Sequence, residues 1–447
     1  MTVLHRIVLV LIFAFFIIPE LHAQTWSDSL SKEERFWSRS GGEARELSLG
    51  AGGFGMLGDS GIKTLRTNPF SIDPVFMLQN PAYGPHYAGY LWFDDGVAGN
   101  ATDGGTGQSF GGSFALSNNV TGGIVLARTD ATGFSLVNPN IFGELSSLSG
   151  NFSYAPPTNT WQIMGSVLEG ETSIGLALSY ASSSATVTSG ISNDSGVNTS
   201  SSRQANFHQI GLSAGALWRS DNGTMLDLGA TALLPTLSSS ASGSGAISMH
   251  AIGINGRLFL PLHDEFYLVP IVNAYFATGT STFLATPKDL PSSQNYDAGI
   301  GVNFWQGGIH IMSGVTFGYY KQTTPAIASI TPELSKTQTI VPRWTIGAEW
   351  PILRWLTARL GYFASSASET DVVLASPTTT QSVTNGSANL YSPLYGSTSS
   401  GLTAGATFQI ARFNLDLTIN DEMFRSGPAN IFSGSAFGFV TMGYRFE

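Results

Sequence analysis

The chain has 447 residues, a formal net charge of −10 at pH 7 and no cysteine. The missing thiols exclude a disulfide scaffold, and the acidic balance argues against a nucleic-acid partner. Charged residues, at 11%, are too few for an ordinary soluble surface, where about a quarter is usual.

Residues 1–23 read as a secretory signal. His5 and Arg6 form a short positive start, Ile7 to Ile18 an apolar run, and Ala23 a small residue at the expected cleavage point before Gln24. The run is shorter than the roughly 18 residues a transmembrane helix needs, and no later run approaches that length. Export without membrane helices, with abundant aromatic residues, points to a bacterial outer membrane crossed by strands.

Residues 24–84 contain "SLGAGGFGMLGDSG", which offers a G-x-G-x-x-G at Gly50, Gly52 and Gly55 and a GDSG at Gly58 to Gly61. A dinucleotide fingerprint needs a hydrophobic strand before it, whereas "GGEARELSL" is charged. A serine protease needs a positioned His and Asp, and no histidine of the exported chain precedes His86. No catalytic residue, metal site or cofactor is therefore assigned. Further on, Asn80-Pro81-Ala82 is expected to make a tight turn, Pro81 fixing φ and the Asn80 side chain bonding backbone.

From residue 85 to 447 the pattern is that of a barrel strand, apolar outside and small or polar inside. "FNLDLTIN" alternates Phe413, Leu415, Leu417 and Ile419 with Asn414, Asp416, Thr418 and Asn420; "RWTIGAEW" and "QIGLSAGALW" behave alike. Short turns such as "SDNG" (Ser220 to Gly223) alternate with long connections at about 94–108, 129–158, 181–205, 235–245, 278–294, 322–338, 365–395 and 421–433. That segregation of loop lengths belongs to outer-membrane barrels and not to sandwiches. The expected fold is all-β, a transmembrane antiparallel β-barrel of 14 to 16 strands. The count favours sixteen, from Pro85–Phe93 to Gly434–Phe446; fourteen results if Ser109–Ser117 and Thr160–Leu168 are not strands. "FGFVTMGYRFE" supplies a closing membrane strand tipped by Tyr444 and Phe446, and Trp218, Tyr319, Tyr320, Trp350, Trp355 and Tyr362 suit aromatic girdles.

Arg219, Asp227, Arg343, Glu349, Arg359, Asp416 and Arg445 fall on inward faces. Charges there must be paired or hydrated, so a lumenal ladder of ion pairs is expected, with Arg343 opposite Glu349. The alternative is an anion-headgroup site with Arg343 and Arg359 as donors. His208, His250, His263 and His310 show no metal spacing.

"ARELSLGAGGFGMLGDSG" followed by "FMLQNPAYG" resembles the N-terminal segment of FadL-type outer-membrane transporters and their relatives, the PorV-like subunits of type IX secretion among them. The resemblance covers about 40 residues: glycines Gly50, Gly52 and Gly53, then Asp59, then the Asn80, Pro81, Ala82 box. It implies a divergent member, since the gap before Asn80 is longer and the strand count exceeds the family's fourteen. It implies that residues 24–84 form a plug or hatch inside the barrel, the alternative for this segment being a periplasmic tail, and that the protein is a non-enzymatic, passive channel for hydrophobic or amphipathic small molecules. The alternatives are a PorV-like anchor for a protein partner and, third, a barrel-borne hydrolase. Expected partners are membrane lipids, the barrel assembly machinery, and a hydrophobic ligand or a protein partner.

Overall fold

The computed structural model describes residues 41–50, 68–96, 109–126, 159–192, 198–239, 245–282, 288–290, 292–306, 308–325, 333–374, 381–386, 400–419 and 437–446. Residues 1–23, and with them Gly52, Gly53 and Asp59, lie outside these.

A short helix, α1 (Glu43–Ser48), and two 3-10 turns (Pro74–Leu78 and Pro81–Tyr87) precede the strands. The strands are β1 (Tyr90–Gly96), β2 (Ser109–Ala115), β3 (Val120–Leu126), β4 (Asn159–Glu169), β5 (Thr172–Ser192) and β6 (Asn198–Arg219). They continue as β7 (Met225–Ser239), β8 (Gly245–His263), β9 (Phe266–Ser281), β10 (Lys288–Asp289), β11 (Ser292–Gln306) and β12 (Ile309–Thr324). The last are β13 (Glu333–Leu353), β14 (Leu356–Leu374), β15 (Gln381–Gly386), β16 (Ser400–Ile410), β17 (Phe413–Ile419) and β18 (Phe437–Arg445).

Every pairing is antiparallel, and β1 pairs with both β2 and β18, which closes the ring. β9 pairs directly with β11, and β14 with β16, so β10 and β15 only extend the outer ends of β9 and β14. Eighteen strands less these two leave a wall of sixteen. Both doubtful strands, β2 and β4, belong to it. Closure leaves no unpaired edge in the wall, which is what hydrocarbon demands of a sheet.

The alternation places large apolar residues outward. Leu176, Leu212, Leu228, Ile254, Val272, Ile300 and Leu360 are all exposed, a belt that fits lipid and would be unfavourable in water. Trp218, Trp350, Trp355 and Tyr444 stand exposed near the short-turn rim, and Tyr296, Tyr319 and Trp344 toward the other, as two interfacial girdles require. The short turns gather on one rim. Between β6 and β7 the chain reverses through Ser220–Thr224, where Gly223 takes φ 85° and donates its N–H to the Ser220 carbonyl at 2.9 Å.

The structure corrects the boundaries in two ways. The wall begins at Tyr90, because Pro85 is spent inside the Pro81–Tyr87 turn. Much of the expected loops at 181–205, 235–245, 278–294, 322–338 and 365–395 is strand: β5 runs to Ser192 and β6 starts at Asn198, paired residue by residue. These stretches are rich in Ser and Thr and so read as loops, yet β-branched residues and an adjacent partner strand suffice to carry the hairpin further.

Candidate functional site

The first residues of the described chain sit inside the ring. α1 is buried along its whole length and contacts β14, β16, β17 and β18, while the Pro81–Tyr87 turn contacts β2 to β6 on the other side. One segment touching strands around the ring, with almost no exposure, is a plug. Its contacts fall on wall residues close to the short turns, so it occupies that end.

The wall caps the helix that the plug cannot cap for itself. Gly42 offers no side chain at the N-cap; the Glu43 N–H donates to Asp94 Oδ1 (3.3 Å) and the Ala44 N–H to Thr441 Oγ1 (3.0 Å). At the other end the chain leaves through Gly50 at φ 73°, its N–H on Thr403 Oγ1 at 3.1 Å. A Cβ at Gly50 would lie 2.7 Å from the Ile346 carbonyl and 2.8 Å from Tyr362 backbone. The glycine is required by both the dihedral and the approach.

Two buried ion networks fix the plug. In the first, Arg45 grips Glu349 of β13 with two parallel bonds, Nε–Oε1 at 2.8 Å and Nη2–Oε2 at 2.9 Å, the fork geometry that suits a guanidinium. Its Nη1 donates to Asp73 Oδ2 and the Ile72 carbonyl, both at 2.9 Å. Glu349 also accepts from Arg359 of β14 (2.7 Å), which reaches Asp416 of β17 (2.7 Å). Glu46 faces Arg45 at 3.3 Å and accepts from the Ser71 hydroxyl (2.6 Å) and Asn68 N–H (2.8 Å). Burial pushes the Glu46 and Asp73 carboxyls above their usual range, with Arg45 pulling the other way.

The second network centres on Asp227 of β7 and Arg257 of β8, 2.6 Å apart. Asp227 accepts from Asn80 Nδ2 (2.6 Å) and the Tyr83 hydroxyl (2.7 Å). Arg257 donates to the Ser71 carbonyl (2.7 Å) and lies 4.1 Å over the Phe76 ring. The Asn80 carbonyl oxygen accepts from Ala82 N–H at 2.9 Å, so one side chain both starts the Pro81–Tyr87 turn and fastens it to the wall. Rings of Phe76, Tyr83, Tyr87, Tyr90 and Trp92 follow one another at 6.2 to 6.5 Å, continuing the plug into β1.

Of the charged residues read from the wall, the structure brings together Glu349, Arg359 and Asp416, and separately Asp227. Arg343 is not the partner of Glu349: it stands six residues along β13, level with Thr316 and Ser365, and the bonds of Glu349 go to Arg45 and Arg359. A pair at i and i+6 shares a face but not a level on a strand. Arg219 is half-buried near His86, and Arg445 is exposed at the end of β18. Tyr444 faces outward on β18, and Phe446 follows the strand, its N–H on the Gly89 carbonyl at 2.8 Å. Arg45, Glu46, Asp73 and Arg257 were missed. Charge in "GGEAREL" and Arg257 alternating in phase with the inward face of β8 were the available signals.

Above the plug the inner wall carries apolar residues beside polar ones such as Gln209, Ser281 and Asn295. Phe207, Leu233, Leu237, Ile247, Met249 and Tyr275, on β6 to β9, point inward and are buried. On the outside of the same sector lies an apolar concavity of about 700 Å³, bounded by Ile163, Leu176, Leu212 and Ile252 and floored by Gly165, Ala214 and Ala230.

No family model and no curated protein matches the chain. Solved structures similar to it include the toluene transporter TodX of Pseudomonas putida, at 11% identity over 91% of this chain and 96% of that one, TM-score 0.35. The toluene transporter TbuX of Ralstonia pickettii is similar at 12% over 89% and 99%, TM-score 0.35. The iron transporter FrpB of Neisseria meningitidis is similar at 11% over 80% and 81%, TM-score 0.34. The described chain is a closed antiparallel β-barrel of sixteen strands with its N-terminal segment packed inside the ring.

Proposed function

We propose that this barrel is a passive, non-enzymatic channel in a bacterial outer membrane for hydrophobic or amphipathic small molecules. The observation that carries the reading is the group of inward apolar side chains Phe207, Leu233, Leu237, Ile247 and Met249, which lies above an ion-fastened plug at the short-turn end. A water-filled porin lumen would be polar throughout. Apolar ligands would leave water for this wall and then meet the plug. The lipid-facing concavity at Gly165, Ala214 and Ala230 marks where small residues thin the wall and suits sideways release into the bilayer.

The test is to purify the full-length barrel from outer membranes, extract it with organic solvent and seek a stoichiometric amphiphile by mass spectrometry. A bound amphiphile, lost when Leu233 and Leu237 are replaced by Asn in a barrel that still folds, is expected. An empty barrel that instead co-purifies stoichiometrically with a protein would move the assignment to the PorV-like anchor.

A further inference from the structure

Two carboxamides interrupt the inner wall at its outer end. Gln209 on β6 and Gln162 on β4 are 1% and 2% exposed. Both point inward: Gln209 shares its face with Gly215, which meets Asn80 of the plug, and Gln162 shares its face with Ser166, which bonds the Pro81 carbonyl. Both Gln209 Nε2 and Oε1, and Gln162 Nε2, lack any hydrogen-bond partner. The surroundings explain why. Gln209 lies between Ala181 and Pro235 across the strands, with Phe207 and Gly211 along its own, and none of those side chains can donate or accept. Buried polar atoms are nearly always satisfied, and nothing else in this stretch of wall satisfies these.

The two residues flank β5, Gln162 level with Ser179 and Gln209 level with Ala181. Two strand spacings and a two-residue offset put their backbones roughly 12 Å apart, close enough for both amides to reach one small polar group between them. They offer it two N–H donors and one acceptor. A hydroxyl group is the complement, with two lone pairs and one O–H; an ionised carboxylate has no proton for Gln209 Oε1 and would face it with a lone pair. Trp161 and Tyr180, neighbours on the outside of the same strands, have rings 5.9 Å apart, the amphipathic pairing found at headgroup depth.

Resting on the uptake reading, we propose that Gln162 and Gln209 form a head-group site selecting uncharged, hydroxyl-bearing amphiphiles, alcohols or phenols, whose apolar part lies along Phe207 and Leu237. The experiment uses the full-length barrel in phosphatidylcholine nanodiscs, with calorimetric titration of 1-octanol, octane and octanoate against empty discs. The wild type should prefer 1-octanol. Gln209→Leu with Gln162→Leu, nearly isosteric and checked for folding by heat-modifiable electrophoretic migration, should weaken 1-octanol about fivefold per lost hydrogen bond and leave octane unchanged. Equal binding of 1-octanol and octane by the wild type, or a preference that survives in the double variant, overturns the head-group site alone and leaves the amides to bound water. Absence of binding by any of the three overturns the uptake reading with it.

Discussion

Arg45, on the plug helix, and Glu349, on β13, are joined by two hydrogen bonds of 2.8 and 2.9 Å with both side chains nearly fully buried. They are 304 positions apart in the chain, and their pairing is what makes plug and wall one unit. Arg45→Met leaves Glu349 with Arg359 but strands Asp73 and Glu46. Removing one partner of a buried pair costs about 3–5 kcal/mol. The expected outcome is a folded barrel whose N-terminal segment is cut by added protease well before that of the wild type. Arg343→Met, by contrast, should change cleavage little, since Arg343 does not bond Glu349.

Asn80 distinguishes hydrogen bonding from charge. Asn80→Ala loses the bonds to Asp227 and Ala82 N–H, each worth about 1 kcal/mol net. Asn80→Asp keeps the cap on Ala82 but sets a second carboxylate against Asp227, so it should be the more damaging, by about 1–3 kcal/mol. Guanidinium unfolding of the two variants in detergent ranks them; Asn80→Asp as stable as wild type would refute the assignment.

At Gly50 a single methyl is enough. Gly50→Ala forces an L side chain into φ 73° and drives Cβ to 2.7 Å from the Ile346 carbonyl. Strain of about 1–3 kcal/mol is expected, read as faster hydrogen exchange at 44–50 with the strand amides unaffected.

His86, on the Pro81–Tyr87 turn, has its pKa lowered from 6.5 to about 3, by burial first and by Arg219 second. The folded state then binds fewer protons than the unfolded one between those values. Its contribution is complete above pH 6.5 and is lost as pH falls toward 3, at no more than about 1.4 kcal/mol per unit. Glu46 and Asp73, whose carboxyls are raised, act in the opposite direction, so the measurement is a difference: the gap in unfolding midpoint between wild type and His86→Gln should shift against the wild type on acidification from pH 7 to 5. A gap constant with pH would rule out the buried neutral imidazole.

On the outer face, Leu176→Arg puts a charge into the lipid belt and should cost about 2–4 kcal/mol, while Ala177→Ser, facing inward, should be tolerated. Unfolding in phosphatidylcholine vesicles compares the two; equal cost would contradict the assigned faces.

The sequence by itself determined the wall. Period-2 alternation is local and survives without knowledge of neighbours, so "FNLDLTIN" declares its faces wherever it is placed, and loop lengths sort the rims. Hairpin ends were less legible, because Ser/Thr-rich stretches such as 181–205 look alike as loop or as polar strand until a partner strand is beside them. The tertiary structure alone decided the pairings. Glu349 alternates correctly for the lumen, but whether it meets Arg343, Arg359 or Arg45 depends on register between strands and on where the plug docks, both long-range quantities. Asn80 was visible as a turn former; that its amide also reaches Asp227, 147 positions away, follows only from closing the ring. The same holds for Gln209, an ordinary polar residue in the chain, which becomes exceptional only when neighbouring strands flank it with Ala181 and Pro235, side chains that cannot hydrogen-bond.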